Sequence, residues 1–205
     1  MKVRALACLS RDLSRVALAL GLCLPLLGCE RSEPRPPPAE LELQQVTLPP
    51  GVVLERVCTP GGPELCFNAI DDNCNGLIDE GCGLAAGLVQ FVIAWAEPTV
   101  DVDLEVTEPS GELVAIGKAS ANGFEKERDC PGQTRSCGGQ NVENVYLTSG
   151  AAPRGRYQVT IRLERLGERE PPIGVTFSAR VGPKTYATRI QLSAEGEARE
   201  LVFDL

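Results

Sequence analysis

Apolar and polar side chains alternate along the second half of the chain. Tyr157, Val159, Ile161 and Leu163 are separated by Gln158, Thr160, Arg162 and Glu164, the period of two that buries one face of a strand and leaves the other in water. Similar β-rich runs recur at Leu88–Ala96, Val102–Glu108, Leu113–Gly117, Val142–Thr148, Gly155–Arg165, Ile173–Val181, Thr185–Leu192 and Arg199–Leu205, with no helical stripe among them. Pro109-Ser110-Gly111 and Pro153-Arg154-Gly155 supply turns beside these runs. About eight short strands over residues 84–205 predict a mainly-β fold, a single β-sandwich of jelly-roll or immunoglobulin-like type. Trp95, the one tryptophan, ends a strand between two alanines and is assigned to the core.

Before residue 84 the pattern changes. Lys2, Arg4, Arg11 and Arg15 precede an apolar run from Val16 to Leu27, the order of a secretory signal. The run is too short to span a bilayer, which takes about 20 apolar residues, and Pro25 interrupts it. It closes on Leu26-Leu27-Gly28-Cys29, which resembles the lipobox of bacterial lipoproteins. The resemblance implies cleavage before Cys29, diacylglycerol on its sulfur and an acylated new N-terminus. Acyl chains contribute ~0.8 kcal/mol per buried CH2 and can hold a domain at a membrane that it cannot itself enter. Glu30, not Asp, follows the cysteine, and the resemblance then implies the outer membrane, with the protein facing the periplasm or the exterior. Residues 29–57 carry Pro34, Pro36, Pro37, Pro38, Pro49 and Pro50 with few apolar positions, and read as an extended, disordered spacer.

Of the nine cysteines, Cys8 and Cys23 leave with the signal and Cys29 takes lipid. Cys58, Cys66, Cys74, Cys82, Cys130 and Cys137 remain, an even set that predicts disulfides outside the cytoplasm. Cys130 and Cys137 flank a short loop and are expected to pair. The first four are spaced by eight residues and admit three pairings that the sequence does not distinguish. A zinc or iron–sulfur site fits poorly, because paired metal ligands stand two to four residues apart.

The stapled segment over residues 58–83 carries the densest chemistry. Asp71, Asn73 and Asn75 alternate, Gly76 follows where a sharp turn is needed, and the Leu77 carbonyl and Asp79 come next, which is the order of oxygen donors in a calcium loop. An EF-hand would place a bidentate Glu where Cys82 stands; Glu80 lies two residues earlier, and prolines and glycines on both flanks deny the paired helices. Residues 64–82 resemble the cysteine-bearing metal-binding motif of MopE-type proteins, which occurs in secreted and lipid-anchored bacterial proteins, and they are also similar to the aspartate-rich repeats of thrombospondin type 3. The resemblance implies a bound cation. Carboxylate and amide donors without His or clustered Met favour Ca2+ over copper, with Asp71, Asn73, Asn75, Leu77, Asp79 and Glu80 as its ligands. The alternative is a disulfide knot in which Asp71, Asn73 and Asn75 cap turns through backbone amides with no ion.

Composition narrows the function classes. The 205 residues contain no histidine, which removes Ser-His-Asp and Cys-His couples, HExxH zinc sites and His-ligated haem. A formal charge of -8, more negative once the basic signal is removed, argues against nucleic acid as a partner. The stretches AWAEPTVDVDLEVTEPSGE at 94–112, VENVYL at 142–147 and APRGRYQVTIRL at 152–163 resemble exported bacterial β-sandwich modules of the YfaP-type and pre-peptidase C-terminal groups. That resemblance implies an accessory binding module and not an enzyme. Asp101, Asp103, Glu143 and Asn144 could meet at one edge and hold a second calcium; alternatively, Asp101 and Asp103 are solvent-facing residues of a strand that buries Val102 and Leu104. A glycosidase reading of Asp101 and Asp103 lacks the aromatic platform that sugars use, since the chain has only 5 Phe, 3 Tyr and 1 Trp. The expectation is a lipid-anchored envelope protein that binds calcium in its Cys-rich motif and contacts protein or polysaccharide through the sandwich. A purely structural protein without metal, and less favoured a carboxylate-dependent glycan hydrolase, are the alternatives.

Overall fold

A computed structural model of the protein describes residues 40–134 and 137–205. The expected secretory segment, Cys29 and the prolines up to Pro38 lie outside the described residues. The described chain is mainly β. Its strands are β1 (Gln45–Thr47), β2 (Val89–Trp95), β3 (Asp101–Thr107), β4 (Phe124–Arg128), β5 (Val142–Leu147), β6 (Arg156–Arg165), β7 (Ile173–Val181), β8 (Lys184–Leu192) and β9 (Ala198–Asp204). They form two antiparallel sheets, ordered β1-β9-β6-β3 and β4-β5-β2-β7-β8, and no helix occurs among the described residues. The expected sandwich is present.

The inner faces carry the alternating apolar residues. Val102, Leu104 and Val106 of β3 and Tyr157, Val159, Ile161 and Leu163 of β6 are all fully buried. They meet Phe91 of β2 and Phe177 of β7 across the sandwich. Phe91 lies 5.3 Å from Phe203 and 6.1 Å from Tyr157 between ring centroids, tilted to both, within the range where edge-to-face attraction adds to area burial. Trp95 is buried in the same core and donates its indole N–H to the Val100 carbonyl at 3.0 Å, so its polar edge is satisfied as expected of a core residue.

Two expectations are corrected. Leu113–Gly117 is not a strand; its backbone makes isolated bridges, Thr107 with Leu113 and Ile116 with Lys126, while Val114 is buried in the core. The edge strand of the five-stranded sheet is β4, which pairs with β5 and which the alternation does not mark. The spacer is also shorter than residues 29–57. Leu41, Leu43, Val46, Leu48, Val52 and Leu54 pack against the core, and β1 pairs with β9, Val46 opposite Phe203. A handful of apolar residues suffices there because an edge strand needs to cover only one flank of an existing sheet.

Residues 58–83 do not stand apart from the sandwich. Ala69 and Ile78 pack with Val92, Ala94 and Val142 in a second small core, bordered by Phe67 and Leu84. This cluster lies on the outer face of the five-stranded sheet. All seven residues of β2 are therefore buried, three of them beneath the Cys-rich segment and its flank. The approach is close: a Cβ on Gly76, whose φ is +84°, would stand 2.6 Å from the Pro183 carbonyl oxygen, a position open only to glycine. Cys58 pairs with Cys74, Cys66 with Cys82, and Cys130 with Cys137, with Cα separations of 5.3, 5.4 and 5.6 Å, inside the range a disulfide spans.

Candidate cation sites

Within the Cys-rich loop, the donor-bearing turns are tied down by two overlapping disulfides and by an unusual backbone. Phe67, Ala69, Cys74 and Asp79 all have positive φ, between 52° and 65°, a region that costs side-chain-bearing residues steric energy. Side-chain oxygens compensate by collecting the N–H groups these turns leave over. Asp79, 0% exposed, accepts from the Asn68 and Ala69 amides at 3.1 and 3.0 Å. Glu64 accepts from the Asp72 and Asp79 amides at 3.1 and 3.0 Å. Asp71 accepts from the Asn75 and Gly76 amides, each at 3.0 Å, and from the Thr185 hydroxyl of β8 at 2.7 Å. That last bond, together with the Ser178 hydroxyl donating to the Ala69 carbonyl, anchors the loop to the sheet.

The six residues expected to hold an ion are thus divided by the structure. Asp71, Asn73, Asn75 and Glu80 come together: the Asn75 amide donates to both Asp71 and Asn73 oxygens at 3.0 Å, and the side-chain amides of Asn73 and Asn75 both donate to Glu80 Oε1. Leu77 adjoins them, its N–H donating to Asn75 Oδ1 at 2.8 Å. Asp79 faces the other way, towards Asn68 and Ala69. The remaining oxygen of Glu80, Oε2, is buried without a hydrogen-bond partner. The donor set, carboxylate and amide oxygens in a closed loop, fits a hard cation such as calcium. Burial, with the Glu80 and Asp72 charges, pushes the Glu64 carboxyl up to about 7. Burial also raises the Asp79 carboxyl, against the pull of the Asn68 and Ala69 amides.

The second group of expected ligands is split as well. Glu143 and Asn144 are consecutive on β5 and so point to opposite faces of the sheet. Asn144 lies on the outer face, accepting from the Gln90 amide at 3.0 Å and donating to the Ala85 carbonyl and Glu127, each at 2.8 Å. Glu143 points inward to the open edge of the sandwich, where its Oε2 accepts from Lys126 Nζ at 2.9 Å and from the Leu104 N–H of edge strand β3 at 2.7 Å. Asp101 pairs with Arg165 at 3.4 Å. Asp103 joins Glu143, and so does Asp129, a residue the sequence reading passed over; one oxygen from each lies within 4.8 Å of the others. Val102 and Leu104 are buried as the strand pattern required.

Asp129 reaches this edge because of an irregularity in β4. Lys126 pairs with Val145 and Arg128 with Asn144, a register shift that leaves Glu127 as an extra residue. Glu127 bonds outer-face groups and Arg128 lies over the Phe67 ring, 5.6 Å from its centroid. With two consecutive residues turned outward, Lys126 and Asp129 both face the inside. A β-bulge has this re-aiming effect. Burial raises the Asp103 carboxyl to about 6, aided by the Asp129 and Asp101 charges and opposed by Lys126. Burial also raises the Glu143 carboxyl, opposed by Lys126 and the Leu104 N–H.

Comparisons with protein families, with curated proteins and with solved structures find no match to this chain. The class that its fold defines is a disulfide-bonded β-sandwich with a stapled, oxygen-rich loop on one outer face.

Proposed function

We propose that this chain is a lipid-anchored, exported bacterial protein whose Cys-rich loop, of the MopE type, binds calcium and whose sandwich is an interaction module for protein or polysaccharide at the outer membrane. It is a binding protein in this reading, consistent with a chain that has no histidine and so lacks the commonest acid–base group. The observation that carries the calcium role is Glu80. Its carboxylate draws in the amides of Asn73 and Asn75 beside Asp71, while its second oxygen is withdrawn from water and left unpartnered. Amide oxygen and nitrogen are nearly isosteric, so a half-turn of either asparagine replaces an N–H with a lone pair towards Glu80. Asp71, Asn73, Asn75 and Glu80, with the Leu77 carbonyl, would then hold the ion. Calcium there would supply rigidity and charge neutralisation, not reactivity.

Calorimetric titration of the mature, oxidised protein tests the reading. The expected dissociation constant is about 0.1–1 mM, the range of extracellular calcium modules, and Glu80→Gln removes this site. A titration unaltered by Glu80→Gln overturns the calcium role of the loop. A metal-free staple is the second reading, favoured by the Asn75 and Leu77 amides already bonded to Asn73 and Asn75 oxygens, a turn-capping arrangement that needs no ion. It is the reading left if Glu80→Gln changes nothing.

A further inference from the structure

We infer that the edge of the sandwich between β3 and the β4–β5 pair is a separate divalent-cation site, formed by Asp103, Asp129 and Glu143. It is independent of the Cys-rich loop. One oxygen from each carboxylate lies within 4.8 Å of the other two, a span that a single ion with 2.3–2.6 Å oxygen bonds bridges. Glu143 is 0% exposed, and although its Oε2 has Lys126 and the Leu104 N–H, its Oε1 is buried with no hydrogen-bond partner among the described residues. A desolvated carboxylate oxygen left bare calls for a partner, and a cation held by the three carboxylates supplies one.

Charge points the same way. Three carboxylates and the single Lys126 ammonium leave two negative charges uncompensated, which matches a divalent ion. The guanidiniums of β6 beside β3 are engaged elsewhere, Arg165 with Asp101 and Arg162, which stands opposite Asp103 in register, with Glu105 and Glu164. Access exists through a cleft of about 250 Å³ whose wall includes Asp103, Lys126, Asp129 and Gln133. All three donors are carboxylates, so the ion belongs to the hard, oxygen-seeking class of calcium, magnesium and manganese.

Asp129 is held for this position and not merely left there. It is 4% exposed; its N–H donates to the Thr134 hydroxyl at 3.0 Å, and the Thr134 N–H returns to its carbonyl at 3.1 Å. The Cys130–Cys137 disulfide closes the same loop. Gly132 lies against the carboxylate so tightly that a Cβ there would come 2.7 Å from Asp129 Cγ. Gly132→Ala therefore pushes the carboxylate off the site without removing a ligand.

The test is calcium calorimetry and thermal unfolding on the mature, oxidised protein, carried out in wild type and in the Glu80→Gln background. Asp129→Asn, which preserves shape, is expected to remove one calcium equivalent in both backgrounds, and Gly132→Ala to weaken the same equivalent at least tenfold. Lys126→Met removes the competing ammonium; calcium should bind that variant more tightly and raise its melting temperature more than that of wild type. If Asp129→Asn leaves the titration unchanged and calcium fails to rescue Lys126→Met, the edge is a plain buried ion pair and the inference fails. Because Glu80→Gln reports on the loop and Asp129→Asn on the edge, either site can fail without the other.

Discussion

Asp79 shows how far residue identity goes and where it stops. Alternate oxygen-bearing positions from Asp71 to Asp79 are legible as a donor series, but which hydrogen or ion each oxygen meets depends on the left-handed backbone of Phe67 and Ala69, which no spacing rule announces. That backbone turns the Asn68 and Ala69 amides onto Asp79, making it a builder of the loop. Asp79→Ala should therefore cost roughly 2–4 kcal/mol, since it strands two donors, one buried and one part-buried, that bonded a carboxylate, read by urea unfolding of the oxidised protein without calcium. A loss below about 0.5 kcal/mol, the scale of ordinary surface changes, would show that the strained turn holds without this carboxylate. Acidity at this scale is also testable. Asp103 and Glu64 are raised to about 6 and about 7 from ordinary values near 4. Between those limits the folded state holds protons that the unfolded chain has released, so stability falls as pH rises through about 4 to 7. The metal-free protein should melt at a higher temperature at pH 5 than at pH 8, and saturating calcium should narrow the difference by binding the ionised Asp103 carboxylate at the higher pH. A melting temperature that is flat or rises towards pH 8 would contradict these shifts.

At the scale of elements, strands with sharp alternation were readable and strands without it were not. The run Ile173–Val181 has the boundaries of β7, and Gly155–Arg165 differs from β6 by one residue. β4 was missed because Phe124-Glu-Lys-Glu-Arg128 offers one apolar side chain and four charged ones; beyond Phe124, which joins the core, its inner face is polar because it borders the acidic edge, and its bulge breaks the period that would have marked Asp129. β1 was missed for another reason, its three residues lying among prolines. Leu113–Gly117 looked like a strand by composition, yet Leu113 bridges β3 and Ile116 bridges β4, so it builds a ladder with neither. β2 carries the most informative departure. Its unbroken apolar run includes Val92 and Ala94, which would face water if the Cys-rich segment were a free module, and which instead meet Ala69 and Ile78. That small core is what fixes the loop to the sheet. Ile78 is 1% exposed, and Ile78→Ala should cost about 2–4 kcal/mol through the cavity it leaves. Hydrogen exchange provides the discriminating measurement: protection should fall in residues 64–82 and along β2 more than along β6. Uniform loss across both sheets would mean that the loop does not unfold as its own unit.

For the whole molecule, the boundary that matters lies between Cys29 and the folded unit, which begins by residue 40 because Leu41, Leu43 and Val46 already belong to the sandwich flank. The proline-rich composition suggested a longer spacer; it could not show that scattered leucines would be captured by β9 and the core, since that capture depends on residues more than 150 positions away. The shorter connection has a physical consequence for the proposed anchor. An acidic domain is repelled by anionic headgroups and gains nothing from lying on them, so membrane retention would rest on acyl chains alone, with their burial contributing ~0.8 kcal/mol per CH2. Cys29→Ala should then move the protein from the membrane fraction to the soluble exported fraction, and the loss should be nearly complete, not graded, because an acidic domain adds no electrostatic hold on the lipid. Raising salt should not release the wild-type protein, as screening weakens charge contacts but leaves hydrocarbon burial intact. Mass spectrometry of the native N-terminus would show the expected diacylglyceryl and acyl masses on Cys29. Retention of Cys29→Ala at the membrane, reversed by high salt, would instead place the attachment in the folded domain and make a membrane-bound partner of the sandwich responsible for it.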